Sequence, residues 1–227
     1  HNANRGDEAA VKAMVDELLI KYPGATITIS NNGFTPYPGM PENVIQIDRF
    51  PKLESRMAQL EFFIVLLFKG KFAFTKEARK FIRALKEADV VLHAPGGPSI
   101  GDTYFKAEKL YLWRLNLIRR MGIPYIFYAP SMGPFNCTSR NKLRKEVISG
   151  AERIVLRDPI SVKYVKDFLP GVEVEQALDS ALQHDIDIDK NERKYNNYPE
   201  LKNFIENHEK CIGITITDLK WHPVHKN

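Results

Sequence analysis

Hydrophobic and polar positions along this chain switch between two periods. Val11, Met14, Val15, Leu18 and Tyr22 follow i, i+3, i+4, i+7 spacing, which predicts an amphipathic helix. Asp7 can cap its start, and Pro23-Gly24 stops it. Short apolar runs at 25–30, 44–48, 89–93, 124–129, 153–156 and 172–176 predict strands. Helical spacing fills the intervals 54–69, 76–87, 102–121, 140–150 and 159–168. Gly122 suits the residue just past a helix end. Pro159 suits a first-turn position. Strand-helix alternation of this kind implies an α/β fold, with a parallel, Rossmann-like sheet and helices on both faces. Its crossovers are expected to be right-handed.

In such folds ligands bind beyond the carboxyl ends of the strands. That rule brings the loops at 4–7, 95–102 and 130–138 to one rim, together with Arg157-Asp158. The middle loop is the most informative. A strand at Val90–Leu92 runs into Gly96, Gly97 and Gly101, and Asp102 then opens a helix. Strand, glycine loop and helix start turn backbone N–H groups toward an anion. The glycines permit positive φ and close approach. Their spacing is neither G-x-G-x-x-G nor G-x-x-x-x-G-K-[ST], so dinucleotide and ATP P-loop readings are weak. A tight turn that merely packs closely is the competing reading of the loop alone.

Composition narrows the class. The chain has 227 residues, 44% of them hydrophobic, enough for one large domain or two small ones with a core that needs no staples. Two cysteines, Cys137 and Cys211, are too few for a disulfide framework and point to a reducing, cytoplasmic compartment. The net charge of +5 mildly favours an anionic partner. The basic residues read as dispersed, with no block that singles out nucleic acid. Phe62 to Phe68, the longest apolar run, is far short of the ~20 residues that span a bilayer, and reads as a buried helix segment. No signal peptide opens the sequence.

Both ends read as incomplete. Residues 1–8 resemble a strand-to-helix loop without its strand, and 212–216 resembles a fresh strand. The expected organisation is a Rossmann-like domain over 1–184 lacking its first strand. A charged, Asn-rich linker follows at 185–200, then the start of a truncated second domain at 201–227.

Arg157 and Arg5 are the candidate anion ligands, since guanidinium captures carboxylate or phosphate in bidentate fashion. Arg157 could equally close a strand end against Asp158. Arg140 and Arg144 read as surface charge. His93 ends a strand and reads as a satisfied core histidine. The D-x-D run at Asp185, Asp187 and Asp189 reads as a solvated acidic stretch, and His222 and His225 carry no reading. No cluster has metal-ligand spacing.

Taken together, the rim segments resemble a known family. Asn4-Arg5-Gly6-Asp7-Glu8-Ala9 resembles the N-x-G-D opening of polysaccharide pyruvyl transferases. Ala88-Asp89-Val90-Val91 leading to Gly96-Gly97 resembles that family's glycine loop, with Pro98 where a third glycine often stands. Ser131-Met132-Gly133-Pro134 is similar to its S-x-G-P loop. Arg157-Asp158 with Ser161 resembles its R-D-x-x-S segment, and Asp179-Ser180-Ala181 its D-x-A segment. The ordered match covers roughly residues 4 to 182.

The resemblance implies transfer of a pyruvyl group from phosphoenolpyruvate to two hydroxyls of a cell-surface glycan sugar, forming a ketal and releasing phosphate. It implies a glycosyltransferase-B-like architecture of which this is the N-terminal half. It also implies no cofactor beyond phosphoenolpyruvate as co-substrate. The acceptor is a glycan or lipid-linked saccharide, which suggests peripheral association with the inner face of a membrane. Arg157, Arg5, Asn4, Gly6, Gly96, Gly97, Ser131 and Gly133 become candidate substrate ligands. Asp102 and Asp7 become candidate proton-transfer groups, each with helix capping as its alternative. A nucleotide-sugar glycosyltransferase of the same architecture and a non-catalytic glycan-binding relative are the rival readings.

Overall fold

The central sheet is built from strands whose successive residues face different packing environments. A computed structural model describes residues 5–31, 36–52, 55–183, 189, 192 and 195–212. Its elements run α1 (Arg5–Lys21), β1 (Ile27–Ser30), β2 (Val44–Ile47), α2 (Arg56–Leu67), α3 (Lys76–Glu87), β3 (Val91–His93) and β4 (Gly96–Ile100). Then come α4 (Phe105–Met121), β5 (Tyr125–Tyr128), β6 (Pro130–Met132), α5 (Asn141–Ser149), β7 (Arg153–Leu156), α6 (Pro159–Phe168), β8 (Glu175–Gln176) and α7 (Pro199–Glu206). The chain divides into two compact units, His1–His184 and Asp185–Asn227. The second contributes α7, opened by Pro199 at a first-turn position.

β3, β5, β7 and β8 pair in that order, all parallel. β1 and β2 form a separate parallel pair. Pleating sends alternate side chains to opposite faces. Val91 and Phe127 join a core drawn from α2 through α6, while Leu92 and Tyr128 pack with Val11, Met14 and Val15 of α1. The protein is therefore α/β, with helices on both faces of a parallel sheet. Helix boundaries follow local chemistry. Ser55 and Thr75 accept from the N–H groups of Ala58 and Ala78 to cap α2 and α3. Gly122 closes α4 at φ 75°, a conformation that costs glycine nothing.

Several expectations are overturned. The segments at 95–102 and 130–138 are not simply loops, because β4 and β6 lie within them and pair in parallel. Gly-Gly-Pro-Ser carries no alternating apolar signal, so the pairing left no trace in the pattern. Asp102 does not open the long helix directly. It begins a 3-10 turn, Asp102–Tyr104, ahead of α4. Asp7 is no N-cap, since α1 already starts at Arg5 and Asp7 sits in its first turn, where a carboxylate meets the positive end of the helix dipole. The last strand shrinks to Glu175–Gln176.

The run at 62–68 is buried on one side only. Phe62 and Val65 are inaccessible, while Phe63 and Leu67 remain 49% and 64% exposed. Nor are the basic residues evenly dispersed: Lys76, Arg79, Lys80, Arg83 and Lys86 line the exposed side of α3. The D-x-D run, apart from Asp189, lies outside the described residues, as do His222, His225 and the strand expected beyond Ile212. No helix among the described residues is long and apolar enough to cross a membrane.

His93 ends β3 half-buried, with Nε2 2.7 Å from Ser99 Oγ and its ring edge-on to Tyr111 and Phe127. Burial, aided by the Arg114 guanidinium, pushes its pKa from 6.5 down to about 4. The unfolded chain therefore binds the extra proton first. Stability conferred by neutral His93 is complete above pH 6.5 and falls as pH drops toward about 4. The loss across that window is on the order of 3 kcal/mol. In urea titrations the difference in stability between wild type and His93→Gln should narrow by that amount between these limits; a pH-independent difference would refute it.

Candidate functional site

Two glycine turns meet backbone to backbone at the carboxyl ends of β4 and β6. Gly101 has φ 139°, and a methyl group on it would lie 2.5 Å from the carbonyl oxygen of Gly133. Gly133 has φ 90°, and a methyl group there would lie 2.6 Å from the Tyr164 ring. Neither position has room for a side chain, and both backbones occupy the region glycine favours. The turns are sewn together by Gly133 N–H donating to Ile100 O and Asp102 N–H donating to Pro134 O, both at 2.8 Å.

Beneath them lies a buried ion network. Arg144 of α5 and Glu108 of α4 have no solvent exposure, and the Arg144 Nε lies 2.7 Å from Glu108 Oε1. Its Nη2 reaches Glu108 Oε2 at 3.0 Å and Asp102 Oδ1 at 2.8 Å. Nη1 donates to Cys137 O and Asn141 Oδ1. Glu108 Oε1 also accepts from Gly101 N–H at 2.8 Å. Arg140 adds a contact at 3.1 Å to Glu108 Oε2 and stacks over Phe105. Burial alone would lower the Arg144 pKa, but Glu108 and Asp102 together hold it above its ordinary value.

Arg144 is therefore not surface charge, and Arg140 is largely enclosed. Their partners stand more than thirty residues earlier, beyond the reach of a local reading. Asp102 is fully occupied: Oδ1 takes Arg144, and Oδ2 accepts from Asn136 N–H and Cys137 N–H at 2.6 and 2.9 Å.

Arg157 follows β7 and reaches toward β6. Its Nε donates to Ser131 Oγ at 2.9 Å, and its Nη1 pairs with Asp179 at 2.5 Å. Ser131 neighbours Pro130, the register partner of Gly96, so the guanidinium contacts the strand that pairs with the glycine strand. Ser131 Oγ in turn donates to Asp158 Oδ2. Asp158 caps α6 by accepting from Ser161 N–H at 2.7 Å. Burial raises the Asp158 pKa, yet the Ser161 N–H, the Ser161 and Ser131 hydroxyls and Arg157 together hold it below the usual carboxylate value. Asp179 is fixed by Ala181 N–H, and Ser180 Oγ donates to Ala10 O of α1.

Asp7 stands beside the glycine strand. A methyl group on Gly96 would lie 3.5 Å from Asp7 Oδ1, and one on Gly97 would lie 3.7 Å from the Tyr104 ring. Two phenols stand near this carboxylate. The Tyr37 pKa is raised by burial and then by Asp7, Tyr111 and Glu8; that of Tyr104 is raised by burial and then by Asp7. Both hydroxyls stay protonated at neutral pH and can donate hydrogen bonds. Tyr37 is held by Gln46 of β2, whose Oε1 accepts from Tyr37 N–H at 2.8 Å while its Nε2 donates to Tyr37 O at 3.0 Å.

The structure thus brings Asp7, Gly96, Gly97, Ser131, Gly133 and Arg157 to one rim and adds Tyr37 and Tyr104. Gly6 lies beside Asp7 in α1. Asn4 and the side chain of Arg5 lie outside the described residues. The added tyrosines had one sequence signal: each sits in a segment already flanked by glycine and proline near the rim. Among the described residues, no group of three or more His, Cys, Asp or Glu could hold a metal ion.

Comparison with known families gives one finding: the model for polysaccharide pyruvyl transferase matches residues 4–224. No curated protein and no solved structure matches.

The buried network predicts an asymmetric response to mutation. Removing one partner of a buried ion pair strands the other charge, at a cost of about 3–5 kcal/mol. Arg144→Met should lower the unfolding free energy by that amount in urea titrations. Arg153→Met, which breaks an exposed pair with Glu175, should leave the midpoint nearly unchanged. Equal effects of the two substitutions would contradict the structure.

Proposed function

The chain belongs to the polysaccharide pyruvyl transferase family, and from that premise we propose that it transfers a pyruvyl group from phosphoenolpyruvate to two hydroxyls of a glycan sugar. The donor carries a carboxylate and a phosphate. In this reading Arg157 exchanges part of its contact with Asp179 for the donor carboxylate. Arg5 and the N–H groups around Gly96-Gly97 receive the phosphate at the start of α1. A helix N-terminus contributes about 0.3–1 kcal/mol, or up to about 2 where partly buried. Millimolar affinity needs about 4 kcal/mol, so the arginines carry the larger share. Gly6, Ser131 and Gly133 shape the same cradle in this reading, and Asn4 remains a candidate ligand from the family resemblance. We take the unit as the N-terminal half of a two-domain, glycosyltransferase-B-like architecture acting on the cytoplasmic side of a membrane.

The chemistry assigns work to the remaining groups. A proton is added to the methylene carbon of phosphoenolpyruvate, leaving its C2 electron-poor. The first sugar hydroxyl forms a bond to C2 and gives up its proton. The C2–O bond to phosphate then breaks, phosphate leaves with the bonding pair, and the second hydroxyl closes the ketal as it loses its own proton. In this reading Asp7 relays these protons, with the Tyr104 and Tyr37 hydroxyls donating hydrogen bonds beside it. Asp102, with both oxygens engaged, holds the loop at 134–137 and is a positioning residue. The observation that carries this reading is a carboxylate, Asp7, beside the glycine strand and a guanidinium, Arg157, bonded to Ser131 on the strand paired with it.

The test is phosphate release from phosphoenolpyruvate across a panel of saccharide acceptors. General acid–base groups contribute about 10²–10⁴-fold, so Asp7→Asn should lower kcat by that factor with little change in KM for phosphoenolpyruvate. Arg157→Lys, which loses the planar fork, should raise that KM instead. An Asp7→Asn protein within a few-fold of wild type would remove Asp7 from the mechanism.

A further inference from the structure

Charge and exposed apolar surface coincide on one part of this molecule. Residues 49–86 hold ten basic and three acidic side chains, a net +7, while the whole chain carries +5. Within that segment α2 turns Met57, Leu60, Phe63 and Leu67 outward, at 49% exposure or more. Their spacing of three or four residues puts them on a single helix face. The turn that follows adds Phe68, Phe72 and Phe74, all exposed, with the first two rings edge-on at 4.9 Å. Trp113 of α4 continues the surface: Phe63 meets its ring edge-on at 4.9 Å, and Lys109 Nζ lies 4.4 Å above it.

Beside these residues is a groove of about 360 Å³ between the turn and α3. Lys71, Arg79, Arg83 and Lys86 line it, with Glu87 the one acid among its lining residues. The turn is braced from within, since the buried Glu61 accepts from Phe74 N–H and Thr75 N–H at 2.7 Å. The aromatic rings are thus presented by an anchored backbone.

Exposed apolar side chains clustered in one segment mark a candidate interaction site. The surrounding charge decides what fits it. Aromatic and aliphatic side chains flanked by lysine and arginine match a bilayer interface, where rings enter the acyl boundary and cations meet phosphate. We propose that α2, the turn at 68–74 and α3 form a docking face for an anionic phospholipid surface, with lipid phosphate seated in the groove at Lys71 and Arg83. Each such cation contributes roughly fivefold in affinity for an anionic membrane.

The experiment is co-sedimentation of the full chain with phosphatidylcholine vesicles, with and without a phosphatidylglycerol fraction. Binding is expected with the anionic vesicles only, weakening as salt rises. Lys71→Gln combined with Arg83→Gln should weaken it about thirtyfold. Phe63→Ser should weaken it without altering the salt dependence. Brominated lipid should quench tryptophan fluorescence in wild type and not in the Lys71/Arg83 variant. Equal binding to neutral vesicles, or no binding, overturns the proposal. So does a dimer in solution that Leu67→Ser converts to monomer while vesicles are ignored. Inorganic phosphate that protects Lys71 from acylation without any vesicle binding also overturns it, in favour of a free-anion site. Pyruvyl transfer to a water-soluble acceptor is unaffected by the Lys71/Arg83 pair, so failure of the activity reading and failure of this one are separate results.

Discussion

An arginine with no access to water dictates the shape of this rim. Arg144 spends all three nitrogens on Glu108, Asp102, Asn141 and the carbonyl of Cys137. Glu108, equally buried, spends an oxygen on the N–H of Gly101. A desolvated charge tolerates few arrangements of its partners, so these contacts fix where both glycine turns sit. The pairing of β4 with β6, the contact of Gly101 with Gly133 and the position of Ser131 beneath Arg157 all inherit that constraint. The network is structural in its chemistry: it locks both glycine turns through bonds that use the N–H groups of Gly101, Asp102 and Gly133.

Much of the architecture was legible in the residue pattern. Helical spacing located α1 and α3, short apolar runs located β3, β5 and β7, and strand-helix alternation gave the parallel sheet. Arg157-Asp158 and Gly96-Gly97 stood out by residue type at a strand end, although a strand-closing pair and a tight packing turn fit the same residues. What stayed hidden depended on distance along the chain. Arg144 reads as surface charge until Glu108 and Asp102 are placed against it from 36 and 42 residues away. Tyr37 acquires meaning through Gln46 and the neighbouring Asp7. The outward face of α2 was masked by its own composition, since a helix apolar on every side looks buried. The charge of 49–86 was masked by averaging, because the remaining chain is slightly acidic and dilutes it.

The two surfaces solve different physical problems. The rim gathers polar groups that are nearly all engaged, Arg157 with Ser131 and Asp179, Asp158 with Ser161 and Ser131. Groups held this way are preorganised, and an anion bound there would exchange one set of charge-assisted hydrogen bonds for another. The α2–α3 face leaves its charges in water and its rings exposed, so its affinity grows with the number of contacts and not with their geometry. A rim of fixed contacts suits chemistry; a face of additive ones suits a fluid surface.

The pairing between Asp102 and Arg144 also sets an order of events during synthesis. Asp102 leaves the ribosome 42 residues before its guanidinium partner, roughly 2 to 8 s earlier at ordinary elongation rates. Through that interval Glu108 and Asp102 have no Arg144 to neutralise them, and the glycine strand first awaits β6. The two glycine turns are locked only once α5 has been made, so a chain that ends before residue 144 leaves Glu108 and Asp102 without the guanidinium that neutralises them.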